Sequence, residues 1–263
     1  RGQVDAQVRT ELYTVTKNNG TRRTGILFKQ EDSNLAPTIY LEEFYQKYLK
    51  GQQVPDLADS ICSIYQEIRV KKTCDCQNLF DFNHVKEHIV YKLIRRDANE
   101  ELLKKIPYEP FLDLAVVYYI QIDNTRFGSA AIQIRNEHLR YWRVEKEEIR
   151  RLAEKNTPRI YPVQIRQIVR FMYVATNEQC SLGAAVMRYP DFREKVRGMI
   201  RGDFYILPSS IHEVILVPES FGLEPERMQE MVKEINQTGV APEEVLSDSV
   251  YYFDGEEIRI VAK

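Results

Sequence analysis

The stretch Phe204-Tyr-Ile-Leu-Pro-Ser-Ser-Ile-His-Glu-Val-Ile-Leu-Val-Pro218 is the most apolar part of the chain. Its segments 204–207 and 213–217 predict two β-strands separated by a short polar interruption. All four residues from Val214 to Val217 are apolar, which predicts that both faces of this strand are covered. The second strand is therefore expected at the centre of a sheet, with the polar interruption where it begins.

The polar interruption is the candidate site, and it consists of Ser209, Ser210, His212 and Glu213. On a strand, Ser210 and His212 share a face with their Cα atoms about 7 Å apart, so a hydroxyl can reach an imidazole. Glu213 or Glu219 would then orient the imidazole, as in a hydrolase. Against this, catalytic triads usually come from separate segments, and the chain has no Gly-x-Ser-x-Gly elbow. The alternatives are that the serines satisfy backbone groups, or that these residues bind a ligand without chemistry.

Composition restricts the class of protein. Hydrophobic residues make up 43% of the 263 residues and charged residues 29%, a balance typical of a globular protein and not of a disordered chain. The formal net charge is −2, so the chain as a whole does not attract nucleic acid or an anionic membrane. No apolar run approaches the roughly 20 residues of a membrane-spanning helix. We therefore expect no membrane partner.

Cysteine usage indicates a reducing compartment. The spacing of the four cysteines, Cys62, Cys74, Cys76 and Cys180, is not that of a disulfide-stapled secreted scaffold. Reduced thiols in a cytoplasm are the simpler interpretation, and we predict a cytoplasmic location. The chain begins with Arg1 and not Met, so we expect that it is trimmed, and a removed leader stays open.

The alternation of hydrophobic residues predicts hairpins and amphipathic helices. Strands are predicted at 12–16, 25–29, 111–122, 128–134, 172–176, 183–187, 204–207 and 213–217, with a last hairpin over 251–261. Helices are predicted at 38–49, 55–68, 82–96, 99–106, 145–155, 191–200 and 226–237. Asn-Gly and Asp-Gly turns join the first and last strand pairs. The pattern predicts an α+β fold of mainly antiparallel sheets built from hairpins, with amphipathic helices packed on them.

The sequence is compatible with two domain organisations. We predict a single α+β body over 1–263, with a subdivision into 1–157 and 158–263 as the alternative, because Asn156-Thr157-Pro158 is expected to end a helix. Each half pairs strands and then adds a helix that ends in Asn and Thr. This is a weak two-half pseudo-repeat, and no low-complexity linker separates the halves.

Seven short motifs follow one another along the chain: Lys17-Asn-Asn-Gly20, Ala36-Pro-Thr-Ile-Tyr-Leu41, Tyr91-Lys-Leu-Ile94, Phe111-Leu-Asp-Leu-Ala-Val-Val117, Leu152-Ala-Glu-Lys-Asn-Thr-Pro158, Leu207-Pro-Ser-Ser-Ile-His-Glu-Val-Ile-Leu216 and Val245-Leu-Ser-Asp-Ser-Val-Tyr251. The set resembles an uncharacterised domain-of-unknown-function family of anaerobic Gram-positive bacteria, over nearly the whole chain. The resemblance implies a bacterial cytoplasmic protein. It implies no activity, cofactor or catalytic residue.

A metal site is one candidate chemistry. His84-Val-Lys-Glu-His88 fits the inverted zinc-protease pattern, in which two histidines one helical turn apart hold zinc. Cys74 and Cys76 lie just upstream and would complete a tetrahedral site. On the predicted helix 82–96, however, the apolar stripe places both histidines on the opposite face, towards solvent. We therefore predict no metal and no cofactor.

A nucleic-acid site is another candidate. Tyr141 and Trp142 lie in a segment with five arginines, Arg135, Arg140, Arg143, Arg150 and Arg151. Arginine and aromatic side chains together bind phosphates and stack on bases. Four glutamates, Glu137, Glu145, Glu147 and Glu148, interrupt the segment and largely cancel its charge. This pattern is more typical of a solvated helix face with local ion pairs, which argues against nucleic acid as a partner.

No motif carries a complete set of catalytic parts. The chain has neither a Gly-x-x-x-x-Gly-Lys-Ser/Thr phosphate loop nor a Rossmann glycine fingerprint. The function is therefore unknown at this point. Our leading hypothesis is a non-enzymatic bacterial cytoplasmic protein that binds a protein or small-molecule partner. The alternative is a hydrolase that uses Ser209 or Ser210 with His212.

Overall fold

The computed structural model describes residues 8–30, 36–68, 81–122 and 130–263. The chain divides into two compact units, Arg1–Leu79 and Phe80–Lys263. The boundary considered from the sequence, between 157 and 158, lies inside one helix of the second unit. None of the helices in the described part of the chain is long and apolar enough to cross a lipid bilayer.

The first unit is a three-stranded antiparallel sheet with two helices. Its elements are β1 (Val8–Thr16), β2 (Arg22–Gln30), β3 (Thr38–Tyr40), α1 (Glu42–Leu49) and α2 (Val54–Ile68), and the strand order is β1-β2-β3. The predicted first hairpin is confirmed, and Asn19 and Gly20 in its loop have φ values of 58° and 68°. In the core, the rings of Phe28 and Tyr65 stack with centroids 4.3 Å apart. The helix predicted from residue 38 begins at 42, because β3 pairs with β2.

The second unit contains two sheets in its described residues. The first part of its sequence, up to residue 160, forms a four-stranded sheet and four α-helices within that described part. The strands are β4 (Ile89–Arg95), β5 (Tyr108–Phe111), β6 (Leu114–Ile122) and β7 (Ala130–Gln133). The helices are α3 (Phe82–Val85), α4 (Glu100–Leu103), α5 (Asn136–Trp142) and α6 (Lys146–Ile160). Strand β6 pairs with β4 along one side and with β5 and β7 along the other, always antiparallel. The predicted strand 111–122 therefore begins at residue 114, after a turn at residues 112–113 that joins it to β5.

The larger sheet has six antiparallel strands in the order β13-β12-β10-β11-β9-β8. They are β8 (Val163–Val169), β9 (Met172–Asn177), β10 (Phe204–Leu207), β11 (Val214–Pro218), β12 (Val250–Phe253) and β13 (Ile258–Ala262). Two helices belong to this part of the chain, α7 (Phe192–Arg197) and α8 (Pro225–Thr238). Met228 and Val232 of α8 pack on one face of the sheet, against Leu207 and Val217. The predicted α+β fold class is confirmed, and so is the central position of β11 between β10 and β9.

Two predicted elements are wrong in type. The helix predicted over 82–96 ends at Val85, and after a 3-10 turn the chain continues as β4, which pairs with β6 along its whole length. Apolar residues spaced as in a helix are compatible with a strand that is buried on both faces, as β4 is. The strand predicted over 183–187 is instead a 3-10 helix, Gly183–Arg188, in which residues 183–187 are buried.

Helix α6 does not end at Pro158, and its last turns cover the free edge of β4. The Tyr91 N–H donates to Thr157 Oγ1 at 3.0 Å, and Asn156 Nδ2 donates to the Ile89 carbonyl at 3.0 Å. Pro158 lacks only its own N–H, and the Tyr161 N–H continues the helical pattern by donating to the Thr157 carbonyl at 2.8 Å. Two side chains of a helix thus satisfy backbone groups of an edge strand.

Candidate functional site

The polar interruption between β10 and β11 is bound to the backbone of other segments. The hydroxyl oxygen of Ser210 accepts the His212 N–H at 3.0 Å. The carbonyls of Pro208 and Ser209 accept the N–H groups of Ser247 and Leu246, each at 3.0 Å. The expectation that one of the two serines hydrogen-bonds the backbone is confirmed for Ser210.

The imidazole of His212 is engaged on both ring nitrogens. Its Nδ1 accepts the Leu182 N–H at 3.2 Å, and its Nε2 lies 3.4 Å from Glu244 Oε1. A ring nitrogen that accepts a backbone N–H cannot also accept a proton from a serine hydroxyl. Glu213, the fourth predicted residue, is half-buried beside it. The arrangement therefore provides a carboxylate and an imidazole, but the imidazole is not positioned to activate Ser210.

The backbone of His212 connects this interruption to β9 and to the 3-10 helix that begins at Gly183. The His212 carbonyl accepts the Gly183 N–H at 2.9 Å and the Thr176 hydroxyl at 2.8 Å. Gly183 is required here, because a Cβ on it would overlap Thr176 Oγ1 and lie 2.5 Å from the His212 carbonyl oxygen. The predicted site residues thus lie in a tightly bonded junction between β11, the end of β9 and the start of the 3-10 helix.

A separate concave site, which we call the arginine cleft, lies between β5, α7 and β13. Its volume is about 440 Å³. It is lined by Phe111, Met187, Arg188, Tyr189, Pro190, Arg193, Glu257 and Ile258. Small-molecule sites are typically concave, largely apolar and about 300–1,000 Å³ in volume, with a few polar groups that fix orientation. The arginine cleft falls within this range of volumes, and its lining combines three charged side chains with apolar ones.

Both arginines of the cleft are held by aromatic rings. The Arg188 guanidinium lies 5.3 Å from the ring centre of Phe111, and that of Arg193 lies 5.3 Å from the ring centre of Phe253. Arg188 also donates to Glu154 Oε1 at 3.4 Å, and Arg193 donates to the Glu256 carbonyl. These bonds use one N–H of each guanidinium, which has five. The remaining donors are suited to an anion.

Buried tyrosines lie close to Arg188. The Tyr189 hydroxyl donates to the Tyr161 carbonyl at 3.0 Å, whereas the buried hydroxyl of Tyr118 has no hydrogen-bond partner within the described residues. Burial, and then the negative charge of Glu109, raise the pKa of Tyr118 above its ordinary value, while Arg188 lowers it. The Tyr118 hydroxyl therefore stays protonated at neutral pH and is a hydrogen-bond donor.

One known protein family matches this chain. A model described as "Family of unknown function (DUF5688)" matches residues 1–172 and 169–255. The chain belongs to this family. Its predicted membership of an uncharacterised domain-of-unknown-function family is thereby confirmed, and no activity comes with it. Neither the curated proteins nor the solved structures compared with the chain include a match.

In this family member, the histidines of the zinc-protease pattern belong to no metal-binding group that the described residues form. His84 is exposed in α3 and His88 is half-buried in the following 3-10 turn. Among the described residues, no group of three or more His, Cys, Asp or Glu side chains is placed to hold a metal ion. Cys74 and Cys76, which would complete such a site, lie outside the described residues.

The segment considered for nucleic acid forms α5 and α6 in this family member. Arg151 contacts Glu148 at 2.7 Å, and Arg150 lies 3.6 Å from Glu109. The Trp142 ring contacts the rings of Phe82 and His138, with centroids 5.7 and 5.3 Å away. The predicted local ion pair is present for Arg151, whereas Arg150 pairs with a glutamate of β5 that is distant in the sequence, so the charge of both arginines is partly neutralised.

Sequence reasoning singled out the junction and missed the arginine cleft. One local signal was available, since Arg188 and Arg193 flank Tyr189 and Phe192 in Arg188-Tyr-Pro-Asp-Phe-Arg193. Such interleaving of arginine and aromatic residues is typical of cation–π packing. The cleft itself depends on Phe111 and Ile258, which are distant in the sequence.

Proposed function

We propose that this chain is a non-enzymatic binding protein of the cytoplasm of an anaerobic Gram-positive bacterium, and that its partner is a small anion with an apolar part, held in the arginine cleft. The ordered sequence motifs support the bacterial and cytoplasmic part. The two guanidinium groups fixed over Phe111 and Phe253 are the observation that carries the ligand class.

Preorganised arginines favour this role. A guanidinium that already stacks on a ring loses less conformational entropy when a ligand binds. A larger part of the interaction free energy therefore contributes to the affinity. Arginine also binds carboxylate and phosphate oxygens through paired N–H donors. Met187, Pro190 and Ile258 add an apolar surface for the rest of the ligand.

The acidic lining residue restricts the charge of the ligand. Glu257 contributes one negative charge to the cleft wall, beside the two positive charges of Arg188 and Arg193. The three charged lining residues together give the cleft a formal charge of +1, which one monoanion neutralises. We therefore infer a monoanion, such as a carboxylate, attached to an apolar or aromatic body.

The ligand class can be tested with 1-anilinonaphthalene-8-sulfonate, a fluorescent aromatic monoanion. We expect the folded full chain to bind this probe saturably. Arg193→Gln should weaken binding by about tenfold or more, because a charge-assisted hydrogen bond contributes about 1.5–3 kcal/mol and 1.4 kcal/mol is tenfold. Fluorescence titration measures the dissociation constants.

Arg227→Gln is the matched control for this titration. Arg227 lies on α8, where it pairs with Glu230 at 2.6 Å, and it does not line the cleft. Its replacement should leave the affinity unchanged. Equal affinities for wild type and Arg193→Gln would contradict the proposal, provided that both variants keep their circular dichroism spectra.

The absence of hydrolase chemistry is a second expected result. Because Nδ1 of His212 accepts a backbone N–H, Ser210 lacks a base, and a fluorophosphonate probe should label the protein no more than Ser210→Ala. Gel fluorescence after labelling measures this. Strong labelling of wild type that disappears in either Ser209→Ala or Ser210→Ala would instead establish the hydrolase alternative.

A further inference from the structure

Strand β1 of the first unit is a long edge with little protection. It pairs only with β2 within the described sheet, in an unbroken register of nine residue pairs from Val8 to Thr16. Natural proteins usually shorten such edges, interrupt them with proline or a bulge, or cover them. Here Leu12, opposite Ile26, is 76% exposed. No other described strand pairs with this edge, so it can pair with a strand from another molecule.

The hydrogen bonds of β2 show which groups of β1 point outward. The Leu41 N–H donates to the Thr24 carbonyl at 2.8 Å, and the Phe28 N–H donates to the Pro37 carbonyl at 2.9 Å, so the even residues of β2 face away from β1. The N–H and C=O of one residue point to the same side of a strand, and neighbours alternate. Even residues of β1 pair with even residues of β2, so the outward backbone groups belong to Val8, Thr10, Leu12, Thr14 and Thr16.

We propose that two copies of this chain associate through β1 in an antiparallel pair with the two-fold axis at Leu12. Leu12 then lies opposite Leu12 of the second copy, Thr10 opposite Thr14, and Val8 opposite Thr16. Each of these pairs exchanges two bonds, which gives about ten backbone hydrogen bonds. The two three-stranded sheets become one continuous sheet of six strands.

The side chains of β1 are self-complementary about this axis. Threonine pairs across neighbouring strands are favourable, and the Leu12 pair covers an apolar side chain that is otherwise exposed. On the other face, Glu11 lies opposite Tyr13 and Arg9 opposite Val15, so no like charges oppose each other. A two-fold interface requires such self-complementarity of a single surface. An unrelated peptide would have to supply the same pattern by chance.

Sedimentation equilibrium of the full chain tests the proposal. Wild type should show twice the 31.0 kDa chain mass and dissociate on dilution. Leu12→Lys places two ammonium groups opposite each other and should weaken the dimer at least about tenfold. Thr10→Pro removes an outward N–H without touching the β1–β2 bonds and should weaken it as well.

Tyr13→Lys is the matched control. It adds the same charge one residue along the strand, but its side chain lies on the other face, opposite Glu11 of the second copy. The dimer should be retained or strengthened. A wild type that stays monomeric at every concentration would overturn the proposal and point to an extended segment of another protein. Equal losses in Leu12→Lys and Tyr13→Lys, with both variants folded, would overturn it too.

Discussion

Leu216→Ala is expected to lower the free energy of unfolding by about 2–5 kcal/mol. Leu216 is fully buried in β11, where it lies opposite Ile206 of β10 and Tyr173 of β9. Strands on both sides hold the surrounding backbone in place, so the site cannot collapse around the smaller side chain. The loss should therefore combine the transfer of the missing carbon atoms with the cost of a cavity.

Urea unfolding followed by circular dichroism measures this loss as a shift in midpoint. Ile168→Ala is the control, because Ile168 lies on the edge strand β8 and is 49% exposed. Its replacement should change the stability by no more than about 0.5 kcal/mol. A loss below about 1 kcal/mol for Leu216→Ala would mean that β11 does not lie at the centre of the fold.

Gly183→Ala should destabilise the protein by about 3 kcal/mol, although it adds only one methyl group. The new Cβ would overlap Thr176 Oγ1 and lie 2.5 Å from the His212 carbonyl oxygen and 2.8 Å from the Asn177 backbone nitrogen. Two of these three atoms belong to backbones that are fixed by hydrogen bonds. The chain can relieve the overlap only by separating the 3-10 helix from β9 and from the start of β11.

Thermal and urea unfolding of Gly183→Ala would show the loss. Gly198→Ala provides the comparison, because its Cβ would come no closer than 3.4 Å to the Lys195 carbonyl oxygen. That variant should lose less than about 1 kcal/mol. If Gly183→Ala were as stable as Gly198→Ala, the junction around His212 would be looser than its contacts indicate.

Local patterns in the sequence were sufficient for the hairpins and the central strand. The Asn-Asn-Gly loop at 18–20 supplies residues that tolerate positive φ, and it determined the first hairpin. The unbroken apolar run from Val214 to Val217 predicted a strand with neighbours on both sides, as found. In both cases the information lies within a few consecutive residues.

The two elements whose secondary-structure type was predicted wrongly depend on contacts that are distant in the sequence. Residues Ile89–Arg95 are buried on both faces, so their apolar spacing fits a helix and a strand equally well, and only the pairing with β6 decides between them. Gly183–Arg188 is an apolar run that reads as a strand, but its first amide groups bond to the carbonyls of residues 211 and 212. Such long-range partners are not visible in a local window.

The sequence identified residues of the candidate site, but it did not show which chemistry they can perform. The sequence located Ser210 and His212 but not their partners, since Leu182 and Glu244 are 30 and 32 residues away from the histidine. Those partners determine which ring nitrogen is occupied, and hence whether a serine can be activated. The arginine cleft is a stronger example, because its walls come from residues between 111 and 258.

The bonds from Thr157 and Asn156 to the edge of β4 have a consequence for the order of folding. Within segment 89–122 the strand pairs join residues at most 31 positions apart, as in Ile89 and Ile120, whereas the Tyr91–Thr157 bond spans 66 residues. The segment can therefore form before that bond does. Until α6 forms and docks, the growing sheet presents an open strand edge, the kind of surface through which partly folded chains aggregate. Docking of α6 covers this edge and so removes the surface through which the chain could aggregate. Folding yield at high protein concentration should therefore depend on how fast one helix reaches one strand.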